Sequence, residues 1–380
     1  MNENKAGIYI HIPFCRQACH YCNFHFSTTL SLKGAFLNAL QLEIAARKNY
    51  LEGKTIQSIY FGGGTPSVLS ANEISLILST IYANYAVDEN AEITMEANPD
   101  DIHATYLRDV KLAGINRMSI GIQSFYDRDL VWMNRSHTGV QAAQCLDLII
   151  QAGFDKITAD LIYGIPMLSH QEWAINIDTV IAKGIGHISC YALTVEPKTA
   201  LQYLIAKGKS VPISDQHTAE QFEILQQKLS AATFEHYEIS NFAKNGQYAL
   251  HNSSYWLGNH YLGLGPSAHS FNGRTREWNV SNNALYIKSI ENNGSYIETE
   301  LLDVYTQMNE KIMTSLRTMW GLDMYKFEMQ FGKANATTLL SEMKELMLQG
   351  LLQNDNGVVT ISQKGKILAD GIISDLFFTD

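Results

Sequence analysis

The feature that most constrains this chain is a repeating alternation. Short β-branched and aromatic runs are separated by segments with helical spacing. The runs are GIYIHI (7–12), IQSIYF (56–61), AEITMEA (91–97), RMSIGIQ (117–123), KITADLIYG (156–164) and HISCYALTV (187–195). Helical periodicity covers 31–50, 71–84, 102–113, 137–152 and 170–183 between them. Strands that alternate with helices form β-α-β crossovers, and crossovers demand a parallel sheet. An α/β fold is therefore expected, either an open partial (β/α)6 barrel or a doubly wound sheet. Such folds place their active sites at the C-terminal ends of the strands. The unusual polar residues fall there: three cysteines follow the first strand and GGGTP (62–66) follows the second. Glu96 ends the third strand, Gln123 ends the fourth, and Asp160 lies within the fifth.

Charge and composition narrow the functional classes. The 380 residues carry 28 basic and 38 acidic side chains, a formal charge of −10, so no broad basic face is available for nucleic acid or anionic membrane. No apolar stretch reaches the ~18 residues that span a bilayer. The first residues, MNENKAGIYIHIPFC, lack the basic, apolar and small-residue regions of a secretory leader, so a cytoplasmic protein is expected.

The rhythm changes after about residue 235. The stretch EHYEISNFAKNGQYALHNSSYWLGNHYLGLGPSAHSF is rich in aromatics, glycine, asparagine and histidine. Residues 301–380 read as a small module of their own, with helices over about 303–319 and 336–349 and a hairpin at GLLQNDNGVVTIS. That outline matches a winged helix. The module holds 7 lysines and arginines against 10 acids, which disfavours DNA and favours a structural or partner-docking role. Three divisions follow: a partial barrel over 1–235, an aromatic and histidine-rich extension over 236–300 that completes the barrel wall, and the winged-helix-like module over 301–380.

Five cysteines make an odd count that argues against a disulfide framework. Cys145 and Cys190 sit in a helical run and a strand run and read as small core residues. Cys15, Cys19 and Cys22 form a C-x3-C-x2-C loop, HIPFCRQACHYCNFHF. Three thiolates on one short loop suit a soft metal. A 4Fe-4S cluster held by three cysteines keeps one iron open for a substrate or cofactor. A zinc ion with His20 or His25 as fourth ligand is the competing reading.

The cysteine loop, with Tyr21 before its last cysteine, resembles the radical S-adenosylmethionine superfamily. That resemblance implies a partial (β/α)6 barrel, a 4Fe-4S cluster on Cys15, Cys19 and Cys22, and S-adenosylmethionine on the open iron. Electron transfer in that superfamily cleaves the cofactor to a 5′-deoxyadenosyl radical. Gly63, Gly64 and Thr65 match the superfamily's second motif, which contacts the methionine amino group. Tyr9, Tyr21, Glu96, Gln123, Arg135 and Asp160 stand at cofactor-binding positions by the same resemblance. Arg135 would suit a carboxylate, which guanidinium grips with two parallel hydrogen bonds.

YIHIPFC, YFGGGTP, SIGIQSF, DLIYGIP and HNSSYW sharpen the likeness. Together they resemble the oxygen-independent coproporphyrinogen III oxidase group over nearly the whole chain. The group has two branches: true oxidases, which decarboxylate two propionates to vinyls, and heme chaperones, which bind heme and pass it to acceptor proteins. The oxidase pattern has a fourth cysteine two residues after the third, where this chain has Phe24. It also has a long arm before its first strand, where only six residues precede GIYIHI. His251–Trp256 matches the HNxxYW motif of the chaperone branch. The expectation is a heme chaperone without oxidase activity, with His251 as the heme contact, heme-acceptor proteins as partners and an electron donor. The oxidase is the alternative, and its cofactor residues would be the same. His260 and His269, in the same segment, are expected to be structural.

Overall fold

The computed structural model describes residues 4–379. Six strands follow one another in chain order across the sheet, all parallel. They are β1 (Lys5–Ile12), β2 (Thr55–Gly63), β3 (Val87–Ala97), β4 (Arg117–Gln123), β5 (Lys156–Tyr163) and β6 (His187–Ala192). The crossovers run through α1 (Lys33–Ala46), α2 (Ala71–Asn84), α3 (Ala104–Leu112), the short α4 (Asp127–Trp132) with α5 (Gly139–Gln151), and α6 (His170–Ala182). Three of these helices open on capping boxes, Ser70 with Glu73, Thr138 with Gln141 and Ser169 with Glu172, which satisfy the first free backbone N–H groups.

The strand residues divide by parity. On the face packed against the helices stand Ile8, Ile10 and Ile12 of β1, Ile59 and Phe61 of β2, Met118, Ile120 and Ile122 of β4, and Ala159 and Leu161 of β5, all fully buried. The alternate positions carry Tyr9, Tyr60, Glu96, Ser119, Gln123, Asp160, Ser189 and Tyr191. A parallel sheet covered on both faces normally reads as continuously apolar. Here the inner face is polar, and the departure marks the concave side as the functional one.

The sheet does not close. After β6 come α7 (Ala200–Ala206) and α8 (Asp215–Ala231), then β7 (Glu235–Glu238) and β8 (Asn241–Ala243), which pair antiparallel beyond β6. The motif HNSSYW lies in a helix, α9 (Leu250–Trp256), seated on the inner face of β1 and β2. Its first backbone N–H donates to the buried carboxylate of Glu92 at 2.8 Å. β9 (His260–Leu264) then pairs parallel with the free edge of β1. β10 (His269–Phe271), β11 (Thr275–Asn279) and, past α10 (Asn283–Glu291), β12 (Ile297–Leu301) continue the sheet antiparallel. The aromatic segment thus divides between both edges of the half-barrel. Its histidines at 260 and 269 lie half-buried and exposed, away from the concave face's polar cluster.

Residues 308–376 have an apolar core of their own. The order is α11 (Val304–Leu316), β13 (Leu322–Asp323), α12 (Met324–Phe331), α13 (Lys333–Leu348), and the hairpin β14 (Leu352–Asp355) and β15 (Val358–Ile361), closed by α14 (Ala369–Asp375). α12, α14 and β13 are additional to the two helices and hairpin read from the sequence. Cys145 and Cys190 are buried in the main core.

Glu43 of α1 fastens the extension to the barrel. It is fully buried and accepts from the Tyr286 hydroxyl at 2.6 Å, the Gly265 N–H at 2.7 Å and the Asn279 amide at 2.7 Å. Removing the carboxylate strands these donors in the core, at ~1–3 kcal/mol for each one left unpaired. Glu43→Ala is expected to cost on the order of 3 kcal/mol in urea unfolding, and Glu43→Gln less, because the amide oxygen still accepts.

Candidate cofactor site

One cavity of about 440 Å³ opens at the C-terminal ends of the parallel strands. Cys15, Cys19, Cys22, Tyr21, Gly63, Gly64, Thr65, Glu96, Gln123, Arg135 and Asp160 all line it. The residues come from segments up to about 145 positions apart, and the β/α order brings them to one rim.

The cysteine loop is held at both ends by backbone. Cys15 N–H donates to Ser27 O at 3.0 Å and Ser27 N–H to Pro13 O at 2.9 Å, closing a ring around the three thiols. From the far side, Gln17 donates to Asn134 O and Oδ1 at 3.0 Å, and Asn134 returns a bond to Ala18 O at 2.7 Å. The GGGTP turn is strapped to the same strand end: Gly64 N–H reaches Ile12 O at 2.8 Å and Thr65 N–H reaches Phe14 O at 2.7 Å. Glycine is required here. A Cβ on Gly64 would stand 2.6 Å from Phe14 O, and Gly63 has φ +105° with His11 within 2.7 Å of any added Cβ.

The donor set fits a cluster better than zinc. In a mononuclear site, bonds of ~2.3 Å to sulfur bring thiolates within roughly 4 Å of one another. Among the described residues the three Sγ atoms do not all converge to within 4.8 Å. The histidines weighed as fourth ligands are engaged elsewhere: His20 Nδ1 lies 2.8 Å from Trp132 O, and His25 Nε2 lies 2.7 Å from Asn283 Oδ1. Burial raises the Cys15 thiol to about 12, partly offset by Thr65, and pushes Cys22 up as well. Such thiols ionise when a metal takes the proton's place.

Two buried polar atoms on the cavity wall have no partner, Arg135 Nε and Gln123 Oε1. Unpaired buried groups are costly, and at a concave site they indicate a missing ligand atom. The rest of the Arg135 guanidinium is fixed, with Nη2 donating to Asn98 Oδ1 at 2.7 Å and Gly121 O at 2.9 Å, and Nη1 donating to Cys19 Sγ at 3.5 Å. Gln123 sits at φ +63°, just past a bulge in the β4–β5 pairing, a strained placement that turns its side chain inward.

Two carboxyls face the same space. Glu96 accepts from the Tyr60 hydroxyl at 2.7 Å, and Asp160 accepts from Ser119 Oγ at 3.2 Å. Enclosure by protein lifts both to about 7, with the Asp160 charge adding to the rise at Glu96 and hydrogen bonds from Ser189 and Ser119 opposing it at Asp160. Tyr60, Ser119, Ser189 and Asn98 were absent from the sequence reading. Ser119 and Ser189 share strand parity with Gln123 and Tyr191, so two-residue periodicity counted back from the strand ends could have found them.

Tyr9 and His251 lie beneath the cavity instead of lining it. Tyr9 Oη bonds His11 Nδ1 at 3.2 Å and its ring stacks on Tyr60. His251 is 2% exposed, with Nδ1 2.9 Å from Ser58 Oγ, Nε2 2.9 Å from the Tyr255 hydroxyl, and its ring stacked 5.1 Å from that of Tyr60. Burial lowers it to about 3, so it is neutral. In this conformation both ring nitrogens of His251, the residue expected to contact heme, are taken by Ser58 and Tyr255. Its neighbour Asn252 is the motif residue that lines the cavity.

Comparison with known proteins places this architecture. The Radical SAM superfamily model matches residues 9–179, and the HemN C-terminal domain model matches residues 302–368. Heme chaperone HemW of Bacillus subtilis is 34% identical over 96% of this chain and 97% of its own length. The chain belongs to the HemW family. HemW of Mycobacterium tuberculosis H37Rv is 32% identical over 99% of this chain and 96% of its own. Among solved structures, the coproporphyrinogen III oxidase HemN of Escherichia coli superposes with a TM-score of 0.85 at 23% identity, covering 99% of this chain and 90% of that one. This last likeness shows that the chain shares the fold of HemN. No helix among the described residues is long and apolar enough to cross a membrane.

The raised carboxyls give a pH signature. In the unfolded chain such groups titrate near ~4, so the folded, cofactor-free cavity binds protons more tightly between ~4 and ~7. Their favourable contribution is complete below ~4 and is lost as pH rises through about 7. Thermal unfolding of wild type is expected to show this loss between pH ~4 and ~7, with a plateau above. Asp160→Asn should flatten the dependence, and an unchanged slope would remove Asp160 as its source.

Proposed function

We propose that this chain is a heme chaperone: it binds heme, passes it to acceptor proteins, and carries a 4Fe-4S cluster with S-adenosylmethionine. The observation that carries the cofactor half is the meeting of three cysteines with the partnerless Arg135 Nε and Gln123 Oε1 in one cavity. Cys15, Cys19 and Cys22 would hold the cluster, which would supply an open iron for the methionine end of S-adenosylmethionine. Arg135 has the planar donors that suit a carboxylate, and Glu96 and Asp160 supply acceptors for an ammonium or for ribose hydroxyls. Gly63, Gly64 and Thr65 bring backbone close to the same ligand. A cationic ligand near Glu96 and Asp160 would draw both carboxyls back down, restoring their charge as it binds.

The heme half rests on the family and on the rim. Phe24, 66% exposed, lines the cavity with the half-buried Phe26 and the exposed Tyr191. An exposed aromatic edge over a polar cavity suits a flat macrocycle with charged propionates. Tyr9 and His251 act from below: His251 stacks on Tyr60, whose hydroxyl fixes Glu96. A cytoplasmic setting and an electron donor belong to this reading.

Anaerobic titration of the cluster-loaded protein with heme, followed at the Soret band, tests it. Saturation near one heme per chain is expected. No saturable binding, together with decarboxylation of coproporphyrinogen III, would favour the oxidase.

The same titration separates two roles for His251. As a positioning residue, His251→Ala should lower stability by roughly 2–4 kcal/mol, since Ser58 and Tyr255 lose a buried partner, and leave the Soret wavelength unchanged. A shifted wavelength with unaltered cluster content would instead make it an iron ligand.

A further inference from the structure

A second group of metal-type donors lies away from the cysteine cavity. His170 is the first residue of α6, and His217 and Glu220 are three apart on one face of α8. His170 Nε2 stands 3.1 Å from His217 Nδ1 and 3.4 Å from Glu220 Oε2, and the three donor atoms all lie within 4.8 Å of one another. Metal bonds of ~2.0–2.1 Å at a tetrahedral angle separate donors by roughly 3.3 Å, which both measured distances bracket.

The surroundings orient these donors. His217 Nε2 lies 3.0 Å from Leu168 O. A carbonyl can only accept, so Nε2 carries the proton and Nδ1 presents its lone pair to His170. Gln216 donates to Glu220 Oε1 at 3.0 Å, leaving Oε2 turned toward the histidines. A ring N–H on a backbone carbonyl and a hydrogen-bonded carboxylate are the outer partners that metal ligands characteristically keep. A bond from His170 to His217 alone would account for the 3.1 Å contact. An N–H shared with Glu220 Oε2 would account for the 3.4 Å contact, and the zinc titration separates that arrangement from a metal site. His170 and Glu220 are 42% and 45% exposed, so an ion has an open path and room for water as a fourth ligand.

We propose that His170, His217 and Glu220 bind one divalent transition-metal ion, with zinc the best match to two imidazoles and a carboxylate. On binding, His170 gives the Nε2 lone pair to the metal and keeps its ring proton on Nδ1. The ion staples α6 to α8. It also braces the loop after β5, because Gln221 on the same helix already holds Gly164 N–H at 2.7 Å and Leu168 O at 2.8 Å.

The test uses the cluster-loaded protein, so that the cysteine loop is occupied, stripped of loose metal and titrated anaerobically with zinc chloride. One zinc per chain is expected. Its affinity should fall about tenfold or more in His217→Ala and Glu220→Gln, with iron content unchanged in both and the metal-free melting temperature unchanged in Glu220→Gln. Cobalt(II) bound there should show weak visible bands without thiolate charge-transfer absorption. The proposal is overturned if wild type shows no saturable zinc binding below about 1 mM, if both variants bind as wild type does, or if cobalt shows the thiolate band. Should His217→Ala not fold, Glu220→Gln alone decides, since its target is on the surface.

Discussion

The cofactor cavity of this fold hangs from the end of β1. This strand has parallel neighbours on both sides, β2 and β9, and its last carbonyls continue outward as Ile12, Pro13 and Phe14. Those three carbonyls receive Gly64, Ser27 and Thr65, so the cysteine loop and the glycine turn are anchored to one stretch of backbone. A one-residue slip of β1 would send Ile8, Ile10 and Ile12 into the polar cavity and Tyr9 and His11 into the helix layer. The apolar parity therefore sets the register, and the register sets where the thiols stand.

The polar lining of the concave face follows from the same parity and determines its electrostatics. Arg135, Glu96 and Asp160 stand half-buried on the cavity wall, so each interaction there is stronger than it would be on the open surface. The lining carries charges of both signs within one space, matched to a ligand that itself carries both. The glycine turn adds backbone where side chains would obstruct approach. The outer edge is different in kind, since Phe24 and its neighbours offer apolar area with little directional bonding.

Local pattern made the six parallel strands and their crossover helices readable. β4 and α2 were legible to the residue, because β-branched runs and a capping box mark their ends. α4 escaped because six residues are too few to show a period. α8 escaped because Phe222, Leu225 and Leu229 form a thin apolar stripe in a polar run. The cavity residues were legible as strand-end polar residues and through the family resemblance. The buried setting of His251 was not, since its partner Ser58 comes from β2, 193 positions away. The motif spacing did hold a hint: Tyr255 is four residues on, one helical turn, and closes the other ring nitrogen.

α9 joins two parts of the molecule that share no core. Near its start, Asn252 faces the cavity; at its end, Trp256 lies under the Arg317 guanidinium at 5.3 Å, and Arg317 also pairs with Glu238 and with Asp370 of the C-terminal unit. Four residues of helix separate the two contacts, about 6 Å of rigid rise. A helix this short cannot bend to absorb a shift at one end, so it works as a lever with the cavity floor on one arm. A shift of the C-terminal unit at Trp256 would thereby be felt at Asn252 on the cavity wall.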